Sequence, residues 1–207
     1  MTGDLIASTA ADATAIDCAM AALAAAADSL GNLANEPCRF TRYRGDGWQI
    51  YLGRPQLILK ACLLFTAQLR AADTGLATRI SVGIGTVRYL AETGLSDANG
   101  DAFTLSGREL DAMWRSKRIV LAGAGGADKW LCAILHLVDW QVSRWSREQA
   151  EVVALALQMA DPTQAELARK LGISRQAVQA RLHSAGFSAM EWAQYAFESH
   201  DFQGVRQ

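Results

Sequence analysis

The sequence predicts an α+β protein: a ferredoxin-like sheet-and-helix domain followed by an all-α domain. Two observations carry this. Over the first two-thirds of the chain, β-branched or alternating runs take turns with helix-length apolar runs. The last third has helical runs alone, separated by capping and turn residues. At 207 residues, 51% of them hydrophobic, the chain can bury the core of one large domain or two modest ones.

The elements follow in order. "DLIAS" at 4–8 reads as a first strand, and an Ala-rich helix follows over 10–30. "CRFTRYR" alternates, Gly45-Asp46-Gly47 turns, and "WQIYL" is β-like again, so 38–52 makes a hairpin. Pro55 stands where a helix begins, and "QLILKACLLFTAQLRAA" has helical length. "ATRISVGIGTVRYL" is a buried, glycine-punctuated strand. "AFTLSGRELDAMWRS" is a helix and "RIVLAG" a strand. A broadly apolar helix over 128–145 carries Trp130, Trp140 and Trp145, which are core or dimer contacts. The order β-α-β-β-α-β-α-β places a first domain at 1–125, a connecting helix at 126–145 and a helical domain at 146–207.

Charge and cysteine content narrow the function. The net charge is −1, so no whole-chain field attracts nucleic acid or an anionic membrane, and any nucleic-acid site must be a local patch. Cys18, Cys38, Cys62 and Cys132 form no CxxC pair, which argues against zinc, and Cys62 and Cys132 read as core thiols. The N-terminus lacks a basic stretch, and Asp4, Asp12, Asp17 and Asp28 interrupt its apolar run. No run approaches the roughly 20 apolar residues of a membrane span. The expected location is cytoplasmic.

The most specific signal is "TQAELARKLGISRQAVQARLHSAGF", which has helix-turn-helix spacing. Leu167 and Ala168 face inward, Gly172 supplies the turn's positive φ, and Ile173, Val178 and Leu182 close a small core. Ser146 with Gln149, Thr163 with Glu166, and Ser188 with Glu191 have capping-box spacing, and Ser174 caps the second helix. Arg175, Gln176 and Gln179 are left on the outer face, and Arg and Gln make bidentate contacts to guanine and adenine. Thr163, Gln164, Arg169 and Lys170 suit phosphates, and Arg181 adds to the basic DNA-binding patch. From Thr163 to Phe187 four cations face one acid. The expected partner is double-stranded DNA, read by a homodimer. A trihelical bundle that binds protein is the plainer alternative.

"TGDLIAS", "RGDGWQ", "RISVGIGTV" and "GDAFTLSGRELDAM", followed by the helix-turn-helix, resemble the SatD family, and the first domain is similar to class III nucleotidyl cyclases. The resemblance covers nearly the whole chain through short motifs in a fixed order. It implies Mg²⁺ or Mn²⁺ held by Asp4 and Asp46, with a nucleoside triphosphate gripped between the metals. It also implies base-reading roles for Arg42 and Asp97, and transition-state roles for Thr104 and Arg108. Thr104 stands where the family has Asn, and losing such a donor costs roughly 10²–10³ in rate. Ala7 stands where a phosphate-wrapping Gly is expected, and Arg42 where Lys is. Domains of this class pair head to tail, which implies a homodimer.

Three readings of the first domain stay open. Asp46 is a turn former by Asp-Gly chemistry, a retained nucleotide or metal contact, or part of a working cyclase. Asp97 sits among turn formers, and Arg108 has Glu109 and Asp111 as plain ion-pair partners. The expectation is a DNA-binding transcriptional regulator with a degenerate cyclase-like domain that dimerises and senses a nucleotide. The alternative is an active cyclase on ATP or GTP, and a third option is a protein-interaction module.

Overall fold

The computed structural model describes residues 1–36, 38–43, 45–91, 94–123 and 129–202. Its architecture is α+β, built on a five-stranded mixed sheet of order β2-β3-β1-β4-β5. The strands are β1 (Thr2–Ile6), β2 (Arg39–Tyr43), β3 (Gly47–Tyr51), β4 (Ala77–Ile84) and β5 (Ile119–Gly123). All neighbours are antiparallel except β4 and β5. Between the strands run α1 (Ala13–Ala34), α2 (Ile58–Ala71) and α3 (Asp101–Asp111). After them come α4 (Lys129–Val142), α5 (Arg147–Leu157), α6 (Gln164–Leu171), α7 (Arg175–Ser184) and α8 (Phe187–Ser199).

Several boundaries differ from the sequence expectation, each for a local reason. The first strand starts at Thr2 rather than 4 and stops at Ile6, because Ala7 turns to φ 65° and Ser8–Ala10 wind into a 3₁₀ turn. The Ala-rich helix starts later, at Ala13, where Asp12 accepts a hydrogen bond from the Ala15 N–H, and it ends where Asn35 takes φ 51°. The helix expected to reach 145 ends at Val142, while its expected start at 128 and the domain boundary at 125 lie outside the described residues. Trp145 is buried beyond that end, its indole N–H donating to the Ala185 carbonyl at 2.8 Å. The capping boxes at Ser146 and Thr163 form. The third does not: Gly186 at φ 72° breaks the chain first, so α8 is under way before Ser188.

Register fixes which side chains share a face of the sheet. Gly3, Leu5, Trp48, Ile50, Ile80 and Val82 lie on one side, against α1 and α2, and all are buried. Thr2, Asp4, Thr41, Gln49, Arg79 and Ser81 lie on the other, polar side. Helix α3 covers part of that polar side, with Thr2 and Ser106 sharing a hydrogen bond at 2.8 Å. It comes so close that a Cβ on Gly83 would sit 2.1 Å from the Ala102 carbonyl oxygen.

Helix α1 has 22 residues and a mean hydropathy of 1.3, so by length and composition it could cross a membrane, contrary to the expectation that no run could. Alanine supplies that hydropathy. One face, including Met20, Leu23, Ala27 and Leu30, is buried in the core. Cys62 is buried in α2, and burial pushes its thiol up to about 12, as befits a core thiol. Cys132 is only half-buried, its thiol directed to the Leu121 carbonyl.

Gly83→Ala should destabilise the fold by about 1–3 kcal/mol in urea unfolding, because α3 must shift off β4 to admit the methyl group. An unchanged midpoint would mean that this contact is loose.

Candidate functional site: an exposed helix row and a closed acidic pair

Helices α6 and α7 are built from their caps outward. The Thr163 hydroxyl accepts from the Glu166 N–H at 3.2 Å, and Glu166 takes the Thr163 N–H at 2.8 Å. Bonds donated to the Glu166 carboxylate by the Thr163 N–H first, and then by the Thr163 hydroxyl, hold that carboxyl below its ordinary range. Gly172 ends α6 at φ 65°, a conformation that glycine adopts without strain. Ser174 then caps α7, accepting from the Ala177 N–H at 3.1 Å.

One side of this helix pair is closed. Leu167, Ala168 and Val178 are buried against Val152 and Ala156 of α5, with Ile173 and Leu182 packed at the margin. Ser174, Arg175, Gln176, Gln179, Ala180 and His183 are exposed along the other side of α7. Positions 175, 176, 179, 180 and 183 form a continuous outer stripe at helical spacing. The stripe borders an open groove of about 600 Å³ that Gln164, Phe187 and Glu191 also line.

Arg169 and Lys170 are exposed in the last turn of α6. Thr163 is exposed, but its hydroxyl is engaged in the cap, and Gln164 is half-buried. Arg181 departs from expectation, since it turns toward α5 and meets Glu151 at 3.7 Å with only 27% of its side chain exposed. Glu151 also takes Arg147, at 3.4 Å. Arg181 therefore does not belong to the outer stripe.

The acidic pair at the sheet end looks different. Asp4 of β1 is paired across the ladder with Arg79 of β4 on one side and Gly47 of β3 on the other. The Arg79 guanidinium forks onto both Asp4 carboxylate oxygens, its Nε donating to Oδ1 at 2.8 Å and its Nη2 to Oδ2. Asp46 sits in the adjoining turn, its carbonyl accepting from the Leu5 N–H at 3.1 Å and its carboxylate from the Ser8 hydroxyl. The bond to Asp4, with the charges of Asp4, Asp111 and Asp46, raises the affinity of Arg79 for its proton against the opposing effect of burial.

The donor set does not fit a pair of divalent cations. Such ions need carboxylate oxygens directed at them, whereas both Asp4 oxygens face a permanent cation. Among the described residues, no three His, Cys, Asp or Glu side chains converge as a metal site would require.

Among the described residues, none of the others implied by the cyclase resemblance has a hydrogen bond or ion pair to Asp4 or Asp46. Arg42 lies on the opposite face of the sheet from Asp4, beside Trp48, and it bonds the Gly45 carbonyl at 2.7 Å and Asp17 of α1 at 2.7 Å. Asp97 is exposed in a turn closed by the Ala98 N–H on the Leu95 carbonyl. Thr104 bonds back to the Gly100 carbonyl at 3.2 Å, and Arg108 is exposed one turn along α3. No ion pair joins Arg108 to Glu109 or Asp111 among the described residues.

Arg79 and Ser8 were not legible as partners of the acids. The signal was the arginine in the alternating run "ATRISVG", but its facing residue depends on the long-range register of β1 with β4. Ala7 at φ 65° shows that the position where glycine is expected does take the left-handed conformation.

Asp4→Ala should cost on the order of 1–2 kcal/mol, since it strands a half-buried guanidinium. Asp97→Ala should change stability by less than about 0.5 kcal/mol. Equal urea midpoints for the two variants would remove any structural role for the Asp4–Arg79 pair. Compared with protein-family models, curated proteins and solved structures, the chain matches none.

Proposed function

We propose that the protein is a DNA-binding transcriptional regulator of the SatD type, in which α6 and α7 form a helix-turn-helix and α7 enters the major groove. The observation that carries this is the division of α7 into two sides. Val178 and Leu182 are committed to the small core with α5 and α6. Arg175, Gln176 and Gln179 stand exposed together on the other side, and they are residue types suited to guanine and adenine edges. The first turn of α7 leads, as in helices that read bases with their N-terminal residues.

Arg169 and Lys170, with the free N–H groups at the start of α6, supply phosphate contacts. Arg181 is left out of this set because Glu151 holds it.

The order β2-β3-β1-β4 with its two connecting helices supports reading the sheet part as ferredoxin-like. Its role is that of a scaffold that dimerises and so sets the spacing of two DNA half-sites. Catalysis on ATP or GTP has no supporting observation, since Asp4 is bound to Arg79 and Arg42 faces away from it.

Arg175→Ala should weaken binding to a selected duplex by about 1–3 kcal/mol and relax preference at one base position. Lys170→Ala should weaken binding to all duplexes alike and lower the salt slope by about one. If the Arg175 variant binds its selected duplex as tightly as wild type, α7 is not the reading helix. If neither wild type nor variant shows salt-dependent affinity for DNA, the regulator reading fails.

A further inference from the structure

We propose that Arg79 is a built-in cation that closes the Asp4–Asp46 pair to divalent metals, so that this end of the sheet is held by an internal ion pair. The inference stands independently of DNA binding. It starts from strand register. Pairing of β1 with β4 sets Arg79 directly opposite Asp4, and pairing of β1 with β3 brings the Asp46 turn to the same strand end.

Asp4 and Asp46 both act on Arg79, and carboxylates that share one strand end are stabilised by a positive charge beside them. A divalent ion could supply that charge, but here the chain supplies it. The guanidinium forks onto Asp4 with two parallel hydrogen bonds, the geometry in which arginine binds carboxylate most firmly. The Ser8 hydroxyl engages Asp46 as well. Arginine stays charged at every working pH, so the lock does not open by deprotonation of Arg79.

A metal entering this site would have to displace the guanidinium from both Asp4 oxygens and sit beside its charge. Asp111 adds a further negative charge felt by Arg79. Removing Arg79 should therefore leave a strongly acidic, oxygen-lined position, the ligand type that Mn²⁺ and Mg²⁺ prefer.

The test is Mn²⁺ titration of the full chain, following free Mn²⁺ by electron paramagnetic resonance and Tm by calorimetry. Wild type should take up no Mn²⁺ saturably and show no Mn²⁺-dependent rise in Tm. Arg79→Gln, which removes the charge but keeps a hydrogen-bonding amide, should bind Mn²⁺ saturably and gain Tm with Mn²⁺ concentration. Adding Asp46→Asn to that variant should abolish the gain. Arg79→Lys, which keeps the charge, should exclude Mn²⁺ as wild type does.

Saturable Mn²⁺ uptake by wild type that Asp46→Asn abolishes would overturn the proposal, and this comparison needs no Arg79 variant to fold. A folded Arg79→Gln protein that binds no Mn²⁺ would overturn it equally.

Discussion

Helix α2 has almost no solvent face, and the rest of the molecule is arranged to cover it. Ile58, Leu59, Leu63, Leu64, Phe65 and Leu69 are buried together with Ala61, Cys62 and Ala67. A helix apolar around its circumference must be enclosed. The apolar side of the sheet covers one flank, where Phe65 meets the Trp48 ring edge-on at 5.2 Å. Helices α1, α4, α5 and α8 take the others. The C-terminal helices therefore close the core of the sheet part, and a single hydrophobic cluster runs from Leu5 to Phe197.

Helix α5 carries that constraint to the proposed interface. Ala150, Val153, Ala154 and Leu157 belong to the large core, while Val152 and Ala156 belong to the small one beneath α6 and α7. Polar ties fix its placement: Gln158 bonds Gln68 of α2 at 3.2 Å, and Arg147 meets Asp73 at 2.7 Å. Exposed ion pairs of this kind contribute little alone. Here they set orientation, and apolar burial supplies the stability. Arg181 is bound by the same logic, because a cation beside Glu151 on α5 is more useful to the helix packing than to solvent.

Local chemistry made much of this readable. Periodicity and turn residues located the hairpin, the interior of α2 and the α6–α7 pair, because each depends on residues close in sequence. Gly172, Ser174 and the Thr163 box act within a few residues, and they stand where spacing puts them. The misses were of two kinds. Element ends moved where a backbone conformation intervened, as at Ala7, Asn35 and Gly186. Long-range partners stayed hidden, because Asp4 with Arg79 and Arg42 with Asp17 depend on how separated segments align. The acidic pair was legible as residues and illegible as a site, since a cation far along the chain decides what the carboxylates can do.

The polar side of the sheet and the outer side of α7 thus differ in how their charges are spent. At the sheet end, Asp4 and Asp46 both have partners within the chain. On α7, Arg175, Gln176 and Gln179 are exposed and presented by a rigidly capped helix. The most direct measurement is selection of bound duplexes from a randomised DNA pool by the full chain, with the enriched sequence then titrated across a range of salt. The account predicts enrichment of one motif repeated as two half-sites, bound with an affinity that falls linearly in log–log form as salt rises. Recovery of no motif, with no salt-dependent binding to any duplex, would contradict it.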